Sequence, residues 1–132
     1  MVRFSDLGIK PSLVESLSKE GIIEPFEVQI EAIPSALEGR DICCRAPTGS
    51  GKTLAFGLPL ISMAKPAASK RPTALILTPT RELAEQIRNV LDPLAWSYSK
   101  LKVLSIYGGS PYGRQIRALD KGVEIRVACP GR

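Results

Sequence analysis

The 132 residues carry a net charge of +5, are 44% hydrophobic and include no histidine, so histidine-based acid–base catalysis and the usual histidine metal sites are excluded. No apolar run approaches the roughly 20 residues that span a bilayer, and the first residues lack the apolar core of a secretory signal. Three cysteines, none in a CxxC pair, predict neither a disulfide framework nor a zinc site, so we expect a reduced, cytoplasmic setting without a membrane partner.

The first half of the chain alternates helix and strand patterns. A short helix is predicted from Pro11, closed by Gly21, and a second runs over 27–37, where Pro34 should kink or shorten it. A short strand over 41–45 and a helix over about 52–64 follow.

The second half continues this alternation. After a connector at 65–72, the patterns predict a buried strand over 73–78, a long helix capped by Thr80, a strand over 102–107, a helix over 112–119 and a strand over 123–129. Strands separated by helices imply a parallel sheet flanked by helices, an α/β architecture.

Residues 46–53, Ala-Pro-Thr-Gly-Ser-Gly-Lys-Thr, have the spacing of a phosphate-binding loop between a strand and a helix. Glycines let successive N–H groups curl around a phosphate, Lys52 brings a charge to the terminal phosphates, and the Thr53 hydroxyl is placed to bind Mg²⁺. The alternative is a glycine-rich connector with an unrelated lysine. The residues predicted to bind nucleotide here are Ala46, Thr48, Gly49, Ser50, Gly51, Lys52, Thr53 and Leu54.

The acidic partner of such a loop is missing. Nucleoside triphosphatases of this type place a carboxylate at the end of a second apolar strand, and no apolar run here ends in Asp or Glu. We therefore interpret the chain as an incomplete domain, and expect Ile42 and Cys44 on the predicted strand 41–45 to be poorly covered.

Charge is divided unevenly along the chain. Residues 1–64 carry a net charge of −2 and residues 65–132 one of +7. A basic half beside a nucleotide-binding half favours a polyanionic partner such as nucleic acid, although a solvated basic face explains the charge equally well.

Further segments resemble the motifs of DEAD-box RNA helicases, in order and over the whole chain. Residues 21–29 resemble the Q motif, 46–53 motif I, 79–84 motif Ia, 108–109 the paired glycines and 129–132 motif Ib. The resemblance implies the first of two RecA-like domains of a P-loop NTPase, broken off before the motif that names the family. It divides the chain into a Q-motif region, 1–40, and a P-loop core, 41–132.

The Q-motif resemblance places Gln29 in the adenine-reading position, since an amide offers the donor and acceptor that complement the edge of adenine. Phe4 matches the isolated upstream aromatic and could stack on the base or plug the core. Phe26 stands where the family usually has threonine, which puts in question a supporting hydrogen bond to the loop.

Motif Ia, the paired glycines and motif Ib predict contacts to a nucleic-acid backbone. Strand carboxyl ends share one edge of a parallel sheet, so these segments can form one surface without reading base edges. A simple helix cap at Thr80 and a plain turn at Gly108 are the alternatives, and Cys129 replaces the usual threonine of motif Ib. The predicted contact residues are Pro79, Thr80, Arg81, Gly108, Gly109, Gly131 and Arg132.

For the complete protein the resemblance implies RNA-dependent ATP hydrolysis coupled to local unwinding of RNA duplexes. ATP and Mg²⁺ are the implied cofactors, with Lys52 and Thr53 as catalytic residues. RNA and the second RecA-like domain of the same protein are the implied partners. This chain alone is expected to bind nucleotide without hydrolysing it. A DNA helicase or translocase of the same superfamily, and a non-catalytic nucleotide-dependent RNA-binding module, remain as alternatives.

Overall fold

A computed structural model describes residues 1–64, 73–108, 113, 115–117 and 122–130. The chain forms two compact units, Met1–Met63 and Ala64–Arg132, and each is described by itself. The predicted connector 65–72 and most of the predicted helix 112–119 lie outside the described residues.

The first unit is helical. It contains a 3-10 turn and three helices: Phe4–Leu7, α1 Pro11–Lys19, α2 Glu27–Leu37 and α3 Lys52–Met63. α1 begins with proline at its first position, where the missing N–H costs no hydrogen bond. α2 packs mainly against α3, and the side chains of Ile33 and Leu58 are fully buried.

Pro34 does not shorten α2, which continues to Leu37. The proline removes one backbone hydrogen bond, but the packing of α2 against α3 compensates for a local loss. The helix is followed by Gly39 with φ of 83°, so the predicted end is close to the observed one.

The predicted strand 41–45 is wrong. These five residues form no strand and are all exposed, because a strand needs a neighbour to satisfy its N–H and C=O groups and no described strand pairs with them. The expectation that Ile42 and Cys44 are poorly covered is confirmed, since Ile42 is 40% exposed and Cys44 is exposed.

In its described residues the second unit contains a parallel three-stranded sheet and a long helix. These elements are β1 Ala74–Leu77, α4 Arg81–Ser99, β2 Val103–Ile106 and β3 Ile125–Ala128. The strand order β1-β3-β2 confirms the predicted parallel pairing. Among the residues that the structure describes, no helix is both long and apolar enough to cross a membrane.

α4 covers one face of this sheet. Ile76, Ser105 and Val127 are buried and share a face by the strand register. The continuous apolar run predicted a fully buried β1, yet Leu75 and Leu77 on the opposite face are 57% and 66% exposed. The sheet therefore fixes α4 and the three strand ends, which carry the predicted nucleic-acid contacts.

Candidate nucleotide site and nucleic-acid interface

The predicted phosphate loop turns into the first residue of α3, Lys52, through two left-handed glycines. Gly49 has φ of 82° and Gly51 has φ of 87°, angles that a side chain makes costly. The free N–H groups at the start of α3 face the same region, where the helix dipole favours an anion. Geometry of this kind fits a phosphate group.

Gly51 is also required by space. A Cβ atom on Gly51 would lie 2.5 Å from Nε2 of Gln29 and 2.6 Å from Cδ2 of Phe26. At Gly49 an added Cβ would meet nothing within 4 Å. The loop is therefore packed against the beginning of α2 at Gly51, and only there.

Gln29 joins the loop to α2 and is only 2% exposed. Its Oε1 accepts a hydrogen bond from the backbone N–H of Phe26 at 2.8 Å, and its Nε2 donates to the carbonyl oxygen of Gly51 at 3.1 Å. A primary amide has two N–H donors and two acceptor lone pairs, so one donor and one acceptor remain. These two hydrogen bonds fix which end of the Gln29 amide is oxygen and which is nitrogen. The remaining N–H donor and the remaining acceptor lone pair therefore have fixed positions.

Within the loop, the ammonium group of Lys52 donates to the carbonyl oxygen of Ala46 at 2.7 Å. The hydroxyl of Ser50 donates to the carbonyl oxygen of Pro47 at 2.5 Å. Thr48 is exposed, whereas Leu54 is 8% exposed and offers only its backbone. Both short contacts hold the loop in a tight curve.

Thr53 is half-buried at the second position of α3, which leaves its hydroxyl as one possible oxygen ligand for Mg²⁺. In the described ranges no three His, Cys, Asp or Glu side chains group into a metal site. Magnesium usually keeps several waters and takes phosphate oxygens beside one or two protein ligands. The donor set therefore fits Mg²⁺ arriving with a nucleotide.

A cleft lies between α2 and residues 42–50, within the first unit. Besides loop residues, Glu27 and Glu31 line it, one helical turn apart on α2. Sequence reasoning did not single out these two carboxylates, although their spacing of four on one predicted helix would have placed them on the same face.

Phe4 is 1% exposed and packs in the core of the first unit, with Leu7 of the same 3-10 turn also buried. This is the plug arrangement, because a ring buried to this degree offers no face to a base. Stacking of Phe4 on adenine stays a prediction that requires the ring to leave the core.

In the second unit the strand ends meet at one edge. Thr78 follows β1, and its N–H donates to the carbonyl oxygen of Ala128 at 2.9 Å. Cys129 follows β3, and its N–H donates to the carbonyl oxygen of Ile106 at 2.9 Å. The thiol of Cys129 lies 3.7 Å from the carbonyl oxygen of Pro79. The segments that resemble motifs Ia and Ib are thus neighbours, as the parallel sheet predicted.

Thr80 caps α4, since its hydroxyl oxygen accepts from the N–H of Leu83 at 3.1 Å. That contact is the simple helix cap of the alternative interpretation. Arg81 reaches further, because its guanidinium donates to the carbonyl oxygen of Gly108 at 3.2 Å. The first turn of α4 is therefore joined to the end of β2.

Gly108 has open space around it, with nothing within 4 Å of an added Cβ atom, and its φ is not positive. The described residues give no steric or backbone reason for glycine at this position. Gly109, Gly131 and Arg132 lie outside the described residues, so their predicted contacts stay predictions.

A polar cluster beside this edge was not predicted. Glu85 accepts hydrogen bonds from the hydroxyl of Ser105 and from the guanidinium of Arg88. The Ser105 bond, and after it Arg88, lower the pKa of Glu85 against the opposing effect of burial. Burial, with the Glu85 carboxylate, raises the pKa of Tyr107. The spacing of Arg81, Glu85 and Arg88 by four and three residues could have revealed this shared helix face.

Comparison with known proteins matches residues 26–132 to the model of the DEAD/DEAH box helicase family. The chain belongs to this family. It is 44% identical to the mitochondrial DEAD-box ATP-dependent RNA helicase 9 of Arabidopsis thaliana over 97% of its length, and 43% identical to the ATP-dependent RNA helicase DeaD of Escherichia coli K12 over 98%. It spans about a fifth of these relatives, 21% and 20% of their chains.

Solved structures of DEAD-box proteins share the fold. The RNA helicase Prp28 from Chaetomium thermophilum bound to ADP matches with a TM-score of 0.89 at 42% identity, covering 100% of this chain and 33% of Prp28. A DEAD box protein from Methanococcus jannaschii matches with a TM-score of 0.85 at 36% identity, covering 100% of this chain and 36% of that one. The predicted RecA-like α/β fold is thereby confirmed, while the individual site residues and the division at residue 40 stay predictions.

Proposed function

We propose that this DEAD-box chain is the ATP-binding and RNA-backbone-binding part of an ATP-dependent RNA helicase. The observation that carries the proposal is the contact of Gln29 with Gly51, because it joins a fixed amide to a loop shaped for phosphates. A nucleotide carries its base and its triphosphate in one molecule, so the groups that bind them must lie close together. The Gln29 amide and the phosphate loop both belong to the first unit.

Each end of the nucleotide has a chemical complement here. The loop N–H groups and Lys52 would hold the phosphates, since an ammonium adds a charge to a curved row of backbone donors. The remaining donor and acceptor of Gln29 would read the edge of adenine, which requires its buried amide to become accessible, as stacking would require of Phe4. The Thr53 hydroxyl would hold Mg²⁺, which supplies charge neutralisation between the β- and γ-phosphates when bound.

The second unit supplies the RNA contacts in this proposal. One guanidinium N–H of Arg81 donates to the carbonyl oxygen of Gly108, so its other N–H groups remain available for a phosphate oxygen. Gly108 leaves room for the RNA backbone to approach. These groups carry no base-reading pattern, so binding would be independent of sequence.

For the complete protein we propose ATP hydrolysis coupled to local unwinding of RNA. Lys52 and Thr53 would position the triphosphate, and a second RecA-like domain would close on the nucleotide and bring cations to the γ-phosphate. The relatives named above are ATP-dependent RNA helicases, which supports this activity. A cytoplasmic location also stays a proposal.

Calorimetric titration with ATP and Mg²⁺ tests the nucleotide site. Lys52→Ala should weaken binding by about 1.5–3 kcal/mol, the scale of a hydrogen bond to a charged group. Lys19→Ala is the matched control, because Lys19 is an exposed lysine of the same unit that only pairs with Glu15 on the surface. Equal affinity of the Lys52 variant and the unchanged chain would refute the assignment.

A second candidate function is a binding module without turnover, for this chain by itself. It is favoured because no apolar run of the given sequence ends in an Asp or Glu that would order Mg²⁺ and the attacking water. Holding a ground state does not lower the barrier to hydrolysis. Phosphate release near the usual range of about 1–100 per second, with saturating RNA and ATP, would exclude it. Stimulation by DNA instead of RNA would favour a DNA translocase.

A further inference from the structure

Three hydrogen bonds cross the contact between α4 and the strand β2 with the residues that follow it. A helix packs on a sheet mainly through apolar side chains, which attract without directional preference. Here three hydrogen bonds run along the contact, from its far end to the edge that carries the proposed RNA contacts: Val103 N–H to Asp92, Ser105 hydroxyl to Glu85, and Arg81 to the Gly108 carbonyl.

Glu85 makes the middle one of these three hydrogen bonds. One carboxylate oxygen accepts from the Ser105 hydroxyl, and the other accepts from Nε and Nη2 of Arg88 at 3.3 and 3.0 Å. With both oxygens engaged, Glu85 serves the helix–strand contact.

Glu85 lies close to both segments that are proposed to contact RNA. Glu85 lies one helical turn after Arg81 on the same face of α4, and Ser105 lies in β2, three residues before Gly108. A hydrogen bond fixes distance and direction, unlike an apolar contact. Fixing Glu85 against Ser105 therefore sets the separation of Arg81 from Gly108.

We propose that Glu85 is a positioning residue for RNA binding, which holds the first turn of α4 and the end of β2 at the spacing required for one backbone contact. The inference rests on the proposed RNA-binding function. Glu85 acts through Arg81 and Gly108 and does not touch the RNA.

The sign of the effect separates this role from simple electrostatics. RNA is a polyanion, so removing a carboxylate near its binding surface strengthens binding by charge alone. Removing a positioning carboxylate weakens binding. Glu20→Ala is the control for Glu85→Ala, because Glu20 is an exposed glutamate at the end of α1, outside the segments proposed to contact RNA.

The test is a double-mutant cycle on this chain with Glu85→Ala, Arg81→Ala and both together. Affinity for a single-stranded oligouridylate is measured by fluorescence anisotropy with a non-hydrolysable ATP analogue, and each value is scaled to the folded fraction from urea unfolding. We expect a three- to tenfold loss for each single variant and no further loss in the double variant, while Glu20→Ala binds equally or more tightly.

Ser105→Ala removes only the hydroxyl that donates to Glu85, so it covers the case in which Glu85→Ala fails to fold. We expect a smaller loss in the same direction. If Arg81→Ala weakens binding while Glu85→Ala and Ser105→Ala do not, or if the effects of Glu85 and Arg81 multiply, the positioning role is overturned and the proposed function stands. If Arg81→Ala also leaves affinity unchanged, the RNA assignment itself fails.

Discussion

Two glycine-to-alanine substitutions in the phosphate loop give a sharp test of how the loop is held. Gly49 and Gly51 have nearly equal φ values, 82° and 87°, so alanine at either position pays the same left-handed backbone cost of about 1–2 kcal/mol. Their surroundings differ. An added Cβ meets open space at Gly49 but lies 2.5 Å from Gln29 Nε2 at Gly51.

The structure gives the size of the difference. Alanine at position 51 must displace the Gln29 amide, which breaks its hydrogen bond to the Gly51 carbonyl and leaves buried amide atoms unpaired, at a cost of about 1–3 kcal/mol. Gly51→Ala should therefore destabilise the chain by about 1–3 kcal/mol more than Gly49→Ala.

Urea unfolding of both variants, followed by circular dichroism, measures this difference in the free energy of unfolding. Gly51→Ala combined with Gln29→Ala serves as the control, because the clash with Gln29 is then relieved and the excess cost should fall. The remaining close contact is with the ring of Phe26, which is 56% exposed and can turn away. Equal destabilisation by Gly49→Ala and Gly51→Ala would show that the Gln29–Gly51 contact contributes nothing to the loop, and would refute the reasoning.

The remaining predictions concern base choice, RNA and pH. Gln29→Ala should reduce the preference for ATP over GTP by about 1–3 kcal/mol while changing pyrophosphate binding less; a retained preference would contradict the reading of adenine. Gly108→Ala should weaken RNA binding but change the free energy of unfolding by no more than about 0.5 kcal/mol, because its Cβ meets open space. Neutralising Arg81 or Arg132 should each lower the slope of log K against log salt by about 0.7, and an unchanged slope would remove that residue from the RNA contacts. The pKa of Glu85 is lowered in the folded chain. The unchanged chain should therefore have a higher free energy of unfolding than Glu85→Ala at neutral pH, and this difference should vanish as the pH falls through the folded pKa. A difference in unfolding free energy that stays constant from pH 7 to 2 would contradict the prediction.

The sequence by itself determined the features that depend on local pattern. Residues 46–53 specified the loop, because glycine spacing followed by Gly-Lys-Thr has few other uses. The 3.6-residue repeat after Thr80 specified α4 and its cap, and the apolar runs specified three parallel strands. The family followed from several such segments in order, and residues 26–132 match its model.

Tertiary structure decided whatever depends on neighbours distant in sequence. The sequence pattern at 41–45 predicts a strand, yet no described strand pairs with these residues and they stay exposed. Phe4 could stack or plug from its sequence alone, and packing buried it. Leu75 and Leu77 belong to a run that reads as buried on both faces, but only one face of β1 is covered.

The same limit hid the links between the motifs. Gln29 and Gly51 are 22 positions apart, and Ser105 follows Glu85 by 20, so no local spacing could pair them. A residue's type and its neighbours along the chain predict which element it belongs to. Which atoms a buried amide or carboxylate bonds depends on how those elements pack, because hydrogen bonds need partners within about 3 Å at a suitable angle.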